Sequence, residues 1–102
     1  MKNSRYIIFN QNETKSQIEA AQPEMTQVEH TIANYFLNNE EMTDFSSKRI
    51  SALLYVSEAT LSRFAKKCGF KGYREFIFAY EKDLKEENNG AVSEKDISLF
   101  TQ

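Results

Sequence analysis

The sequence predicts an all-α domain, a bundle of about five helices that contains a helix-turn-helix. Three observations predict it. Apolar residues recur at intervals of three and four in several segments, the spacing of helices with one buried face. Thr-x-x-Gln and Thr-x-x-Glu pairs stand where such segments begin, as capping boxes do. The run Val56-Ser57-Glu58-Ala59-Thr60-Leu61-Ser62-Arg63-Phe64 closes a turn, caps a helix and splits that helix into an apolar and a polar side.

The elements follow in order. Residues 1–14 are read as an N-terminal arm, polar except for Tyr6-Ile7-Ile8-Phe9, which suits a docking arm, a short edge strand or a disordered tail. Thr14 with Gln17 reads as a capping box that starts a first helix over residues 15–22, which Pro23 ends. Thr26 with Glu29 starts a second helix, running to about Asn38, with Val28, Ile32, Tyr35 and Phe36 on its apolar face. Ser46 or Ser47 caps a third helix over residues 48–54, whose Ile50, Leu53 and Leu54 face the core. A turn at Tyr55-Val56 leads to Ser57 and a fourth helix over residues 58–68. Gly69 stops it in a left-handed conformation. A fifth helix covers residues 72–87, with Tyr73, Phe76, Ile77, Tyr80 and Leu84 at helical spacing. Asn88-Asn89-Gly90 is expected to break it. This divides the chain into an arm (1–14), a helix-turn-helix domain (15–87) and a polar linker (88–102).

The chain has 102 residues, 40% of them hydrophobic, enough for one small domain with a core. One cysteine allows no internal disulfide and suits a reducing compartment. No basic-then-apolar leader opens the chain and no apolar run nears the length of a membrane span, so a cytoplasmic protein is expected. The net charge is −2, but it is unevenly spread. Residues 43–74 carry seven basic side chains against two acidic ones, a local +5. The flanks carry −3 and −4. A basic centre is the footprint of a DNA reader.

The helix-turn-helix supplies candidates for that work. In such a motif the second helix enters the major groove and its first turns reach base edges. Glu58, Ala59, Ser62 and Arg63 are the candidate base contacts. The Arg63 fork matches guanine O6 and N7, Ala59 suits a thymine methyl, and Glu58 can accept from a cytosine amino group. Glu58 also has a plain role, as an acid complementing the helix dipole. Candidate phosphate contacts are Ser47, Lys48, Ser57, Thr60, Lys66, Lys67, Lys71, Tyr73 and Arg74, with Tyr73 divided between core and rim. Little points to catalysis. His30 falls off the apolar face of its helix, Cys68 sits among core residues, no His/Cys/carboxylate set has metal-ligand spacing, and three glycines make no phosphate loop. No cofactor is expected.

The runs Thr26-Gln27-Val28-Glu29, Ile32-Ala33-Asn34-Tyr35-Phe36, Val56 to Phe64 and Gly69-Phe70-Lys71-Gly72-Tyr73-Arg74-Glu75-Phe76 together resemble the amino-terminal domain of RpiR-type bacterial transcription regulators. The likeness covers residues 25–84. It implies a homeodomain-like helix-turn-helix that controls genes of sugar or amino-sugar metabolism. It also implies a carboxy-terminal domain, absent from this chain, that senses a sugar phosphate and supports oligomerisation. No sugar-phosphate site is carried onto any residue here. Two positions depart from the pattern. Tyr55 stands where the family usually has glycine, so a positive φ there would strain it by roughly 1 kcal/mol. Ser51 stands where alanine is common, and its hydroxyl needs a partner, most simply a carbonyl one turn back.

The leading expectation is a homodimeric, sequence-specific binder of double-stranded DNA in a transcription regulator. The competing one is a protein-interaction module on the same fold, working through the Tyr6–Phe9 arm and the acidic fifth helix. An enzyme would need a substrate-sized pocket lined by paired carboxylates or His30.

Overall fold

The structure, a computed structural model, describes residues 12–100, with side chains described for 12–88. Helix α1 spans Glu13–Ala21 and runs into a 3-10 turn at Gln22–Glu24. Helices α2 (Gln27–Asn38), α3 (Ser47–Leu54), α4 (Glu58–Lys67) and α5 (Tyr73–Phe100) follow. The described residues form an all-α bundle, as the periodicity predicts. The Tyr6–Phe9 arm lies outside them.

Most caps are where the sequence puts them. Thr26 and Glu29 close a reciprocal capping box, with Thr26 N–H donating to Glu29 Oε1 and Glu29 N–H to Thr26 Oγ1. Ser46 rather than Ser47 caps α3, its Oγ accepting from Arg49 N–H. Ser57 caps α4, and Gly69 turns left-handed at φ +102°. The Ser51 hydroxyl donates to the Lys48 carbonyl at 3.1 Å, which answers the question its position raised.

The start of α1 corrects the sequence reading. Asn12 is the cap, accepting from Lys15 N–H, so Glu13 and Thr14 belong to the helix and not to an arm. Thr14 is 1% exposed. Its N–H and hydroxyl both donate to Asp83 Oδ2 on α5, at 2.8 and 2.6 Å. Gln17, freed from the cap, donates through Nε2 to the Cys68 carbonyl and so helps close the end of α4. The Asp83 carboxylate, far along the chain, takes up Thr14 in place of the predicted cap.

The other end of the domain differs as well. Helix α5 does not stop at Asn88-Asn89-Gly90 but continues to Phe100. A single glycine costs a helix only about 1 kcal/mol, too little to break it unaided. Two predicted core residues are also out of place: Val28 is 47% and Leu53 45% exposed. The buried face of α2 is Glu29, Ile32, Ala33 and Phe36, so Ile32 and Phe36 stand as predicted while Glu29 and Ala33 replace Val28 and Tyr35.

The core is aromatic. Phe36 contacts Phe76 and Tyr80 edge-on, at centroid distances of 4.9 and 5.0 Å, and stacks with Phe64 at 6.2 Å. Phe45 joins from the segment before α3. Ile18, Ile32, Ile50, Leu61 and Leu84 complete the fully buried set around them. The Tyr80 hydroxyl donates to the Phe36 carbonyl at 2.9 Å and accepts from Asn39 Nδ2. Burial pushes that phenol up to about 12.

Tyr55 holds φ +59°, ψ +45°, a left-handed conformation, with its side chain 94% exposed. The ring gains nothing from burial, while the backbone bears the strain of a Cβ in that region. Tyr55→Gly is therefore expected to raise stability by about 0.5–1 kcal/mol, the relieved strain outweighing the added freedom of the unfolded chain. Tyr55→Ala, which keeps the Cβ, should change it little. Urea titrations of both variants check this.

Candidate nucleic-acid interface

Helices α3 and α4 meet through the tight turn at Tyr55 and Val56, where the Val56 N–H donates back to the Ser51 carbonyl at 3.0 Å. Leu61, Phe64 and Ala65 anchor α4 from below, all fully buried. At 3.6 residues per turn this fixes the opposite face. Ala59, Arg63 and Lys66 are exposed there, with Ser62 half-buried beside them.

The starts of three helices converge next to that face. Ser46 and Ser47 of the α3 end, Glu58 and Ser62 of α4, and Tyr73 and Arg74 of α5 line a cleft of about 510 Å³. The Ser47 hydroxyl donates to Glu58 Oε1 at 2.8 Å, tying the two helix starts together. A second hydroxyl chain runs along α4. Arg63 Nη2 donates to Thr60 Oγ1 at 3.3 Å. Thr60 Oγ1 lies 2.8 Å from Ser57 Oγ, which also accepts the Thr60 N–H. The Arg63 guanidinium is thus drawn toward the start of the helix, and among the described residues its other donors meet no partner.

Of the thirteen side chains predicted from sequence, Ser47, Glu58, Ser62, Tyr73 and Arg74 share the cleft, and Ser57, Ala59, Thr60, Arg63 and Lys66 lie along α4. Lys48 is exposed in the first turn of α3, and Lys71 is exposed just before α5. Two assignments are corrected by geometry. The single Tyr73 hydroxyl proton goes to the Phe45 carbonyl at 2.7 Å, so Tyr73 has none to donate to a phosphate. Burial also raises its pKa, with the neighbouring Tyr35 adding to the effect, so the phenol stays neutral. Lys67 turns the other way. Its Nζ reaches Glu29 Oε1 at 2.8 Å and the Glu24 carbonyl at 2.9 Å, which clamps the end of α4 to the start of α2. Sequence gave no signal for this pair, because the partners are 38 residues apart.

The remaining candidates for chemistry are structural. Cys68 is 4% exposed and its thiol is pushed up to about 12, by burial first and by the Glu29 charge second, so it holds its proton. His30 is half-buried. Among the described residues, no three His, Cys, Asp or Glu side chains gather as a metal site, and no helix is long and apolar enough to cross a membrane.

An exposed cationic helix, seated on a core and entered through a tight turn from a shorter helix, is the arrangement that the sequence likeness implies. Residues 11–87 match the helix-turn-helix domain of the rpiR family. The chain belongs to the rpiR family of helix-turn-helix domains. It is thus a DNA-binding domain of the kind that regulates transcription. No curated protein matches the sequence. In this rpiR domain the Lys67–Glu29 pair is part of the scaffold that holds α4.

That pair sets a pH dependence. Burial alone would raise the Glu29 carboxyl. The Lys67 hydrogen bond, the Thr26 N–H and the Lys67 charge outweigh it and hold the group below its ordinary 4.5. The folded state therefore releases this proton more readily than the unfolded chain. The stabilisation is complete above pH 4.5 and is lost as pH falls through the lower folded value. Lys67→Met is expected to lose about 1 kcal/mol near neutrality. The gap from wild type should close in acid, as read by urea midpoints across the pH range.

Proposed function

We propose that this domain binds double-stranded DNA sequence-specifically by laying α4 in the major groove. The observation that carries the reading is the exposed Ala59–Arg63–Lys66 face opposite a fully buried Leu61–Phe64–Ala65 face. Arg63 is the principal base reader, its fork taking guanine O6 and N7. Ala59 and Ser62 lie beside it, and Glu58, oriented by Ser47, accepts from a cytosine or adenine amino group. An acid there repels phosphate, so it holds the helix to the groove floor rather than to the strands.

Lys48, Lys66, Lys71 and Arg74 serve the phosphates, with Ser47, Ser57 and Thr60 as hydroxyl contacts. Either the Ser57 or the Thr60 hydroxyl can donate in the bond between them, and the one that does not keeps its proton for a phosphate oxygen. Two such domains read a palindromic site, their α4 helices about 34 Å apart. The RpiR likeness extends the proposal to genes of sugar or amino-sugar metabolism in the cytoplasm, with a sugar-phosphate effector acting through a separate carboxy-terminal domain.

Selection of bound duplexes from a random pool tests symmetry and spacing together. Arg63→Ala is expected to cost about 1–3 kcal/mol and to relax the preference at one base position in each half-site. Lys66→Ala should weaken all sequences alike and reduce the salt slope by about one. An Arg63→Ala variant with unchanged base preference would remove α4 as the reading helix.

A further inference from the structure

Among the described residues, Tyr55 alone holds a positive φ without being glycine. Its side chain is almost wholly exposed, so the fold gains no burial for bearing that conformation. Its hydroxyl meets no partner among the described residues, whereas those of Tyr73 and Tyr80 are committed to the Phe45 and Phe36 carbonyls. Strained residues that persist gather at functional sites. From the structure we propose that the Tyr55 ring lies against the DNA strand bordering α4, its hydroxyl donating to a phosphate oxygen. The inference rests on α4 as the reading helix.

The turn sets its place. The left-handed conformation ends α3 and brings the chain round toward Ser57. Val56 between them is drawn inward, its side chain packed against the core and its N–H held by the Ser51 carbonyl at 3.0 Å. Tyr55 and Ser57, on either side of it, are both exposed. Two residues of chain span at most about 7 Å. Successive phosphates of one strand climb about 3.4 Å along the duplex. A strand that meets Ser57 therefore lies within reach of the longer Tyr55 side chain, at the same phosphate or the next.

The chemistry suits a strand. A phenol offers one donor at the tip of a flat apolar ring, so the hydroxyl takes the phosphate while the ring covers the sugar beside it. A tyrosine has only two side-chain torsions, so ordering it against DNA costs little. Phosphate contacts fix register and carry no sequence information. One made at the entry to α4 sets how far Arg63 enters the groove. The donor is uncharged and releases no counterion, which separates its role from that of Lys66. Glycine here would relax the backbone and offer the strand nothing, so stability and affinity are opposed at this one position.

Fluorescence anisotropy of duplexes recovered from a random pool, titrated with the 102-residue chain across a salt series, tests the contact. Tyr55→Phe keeps the ring and the strained backbone. It is expected to weaken binding about tenfold, as loss of a hydrogen bond to a charged group does. Tyr55→Gly should weaken it at least as much while its urea midpoint rises, so unfolding does not account for the loss. Both variants should keep the base preference and the salt slope of the wild type. A Tyr55→Phe variant that binds as the wild type does, beside an Arg63→Ala variant with relaxed preference, overturns the phosphate contact alone. The ring, with Leu53 near it, then falls to a protein partner. A changed base preference in Tyr55→Phe overturns it as well. Unchanged preference in Arg63→Ala, or a wild-type chain that binds no duplex, removes the reading helix and the contact with it.

Discussion

The position of α4 depends on one ring. Phe36 of α2 touches Phe64 from α4, Phe76 and Tyr80 from α5, and Phe45 from the segment before α3. Three segments of the chain therefore converge on a single side chain of a fourth. Removal of a buried phenylalanine of this kind costs about 3–5 kcal/mol, a large share of what a domain of this size has. Edge-to-face contacts add direction to the burial, because they fix how the rings meet as well as how close they lie. The tilt of α4 is thus set from beneath, through Phe64, rather than at its exposed face.

The polar face divides by function in a way that charge counting does not show. Lys67 is on α4, yet its ammonium holds Glu29 and the Glu24 carbonyl and belongs to the scaffold. Arg63 and Lys66 on the same helix stay open to solvent. The hydroxyls of Ser47, Ser57 and Thr60 form two short chains, one ending on the Glu58 carboxylate and one beginning at the Arg63 guanidinium. Side chains held in this way lose less freedom when they take up a ligand.

Local signals in the sequence were enough for helices α2 to α4 and for the caps at Thr26, Ser57 and Gly69, because each involves neighbours within a few residues. The left-handed turn at Tyr55 came from the family resemblance instead, since nothing local marks a tyrosine for that conformation. Contacts across the chain were not. Asp83 draws Thr14 into α1, the Phe45 carbonyl takes the Tyr73 proton, and Glu29 takes Lys67, all over separations of 28 residues or more. Val28 and Leu53 misled for a related reason. A helix shows which residues can share a face, and only its neighbours decide which part of that face they cover.

The clasp between Thr14 and Asp83 joins the first helix to the last across 69 residues. It is built from a hydroxyl, an amide and a carboxylate, all sheltered from water, so neither side can be left alone without stranding the other. The two ends of the domain are therefore a single cooperative unit. A gene fusion, a tag or a cut placed between them severs one fold, whereas a boundary drawn outside both leaves the whole intact.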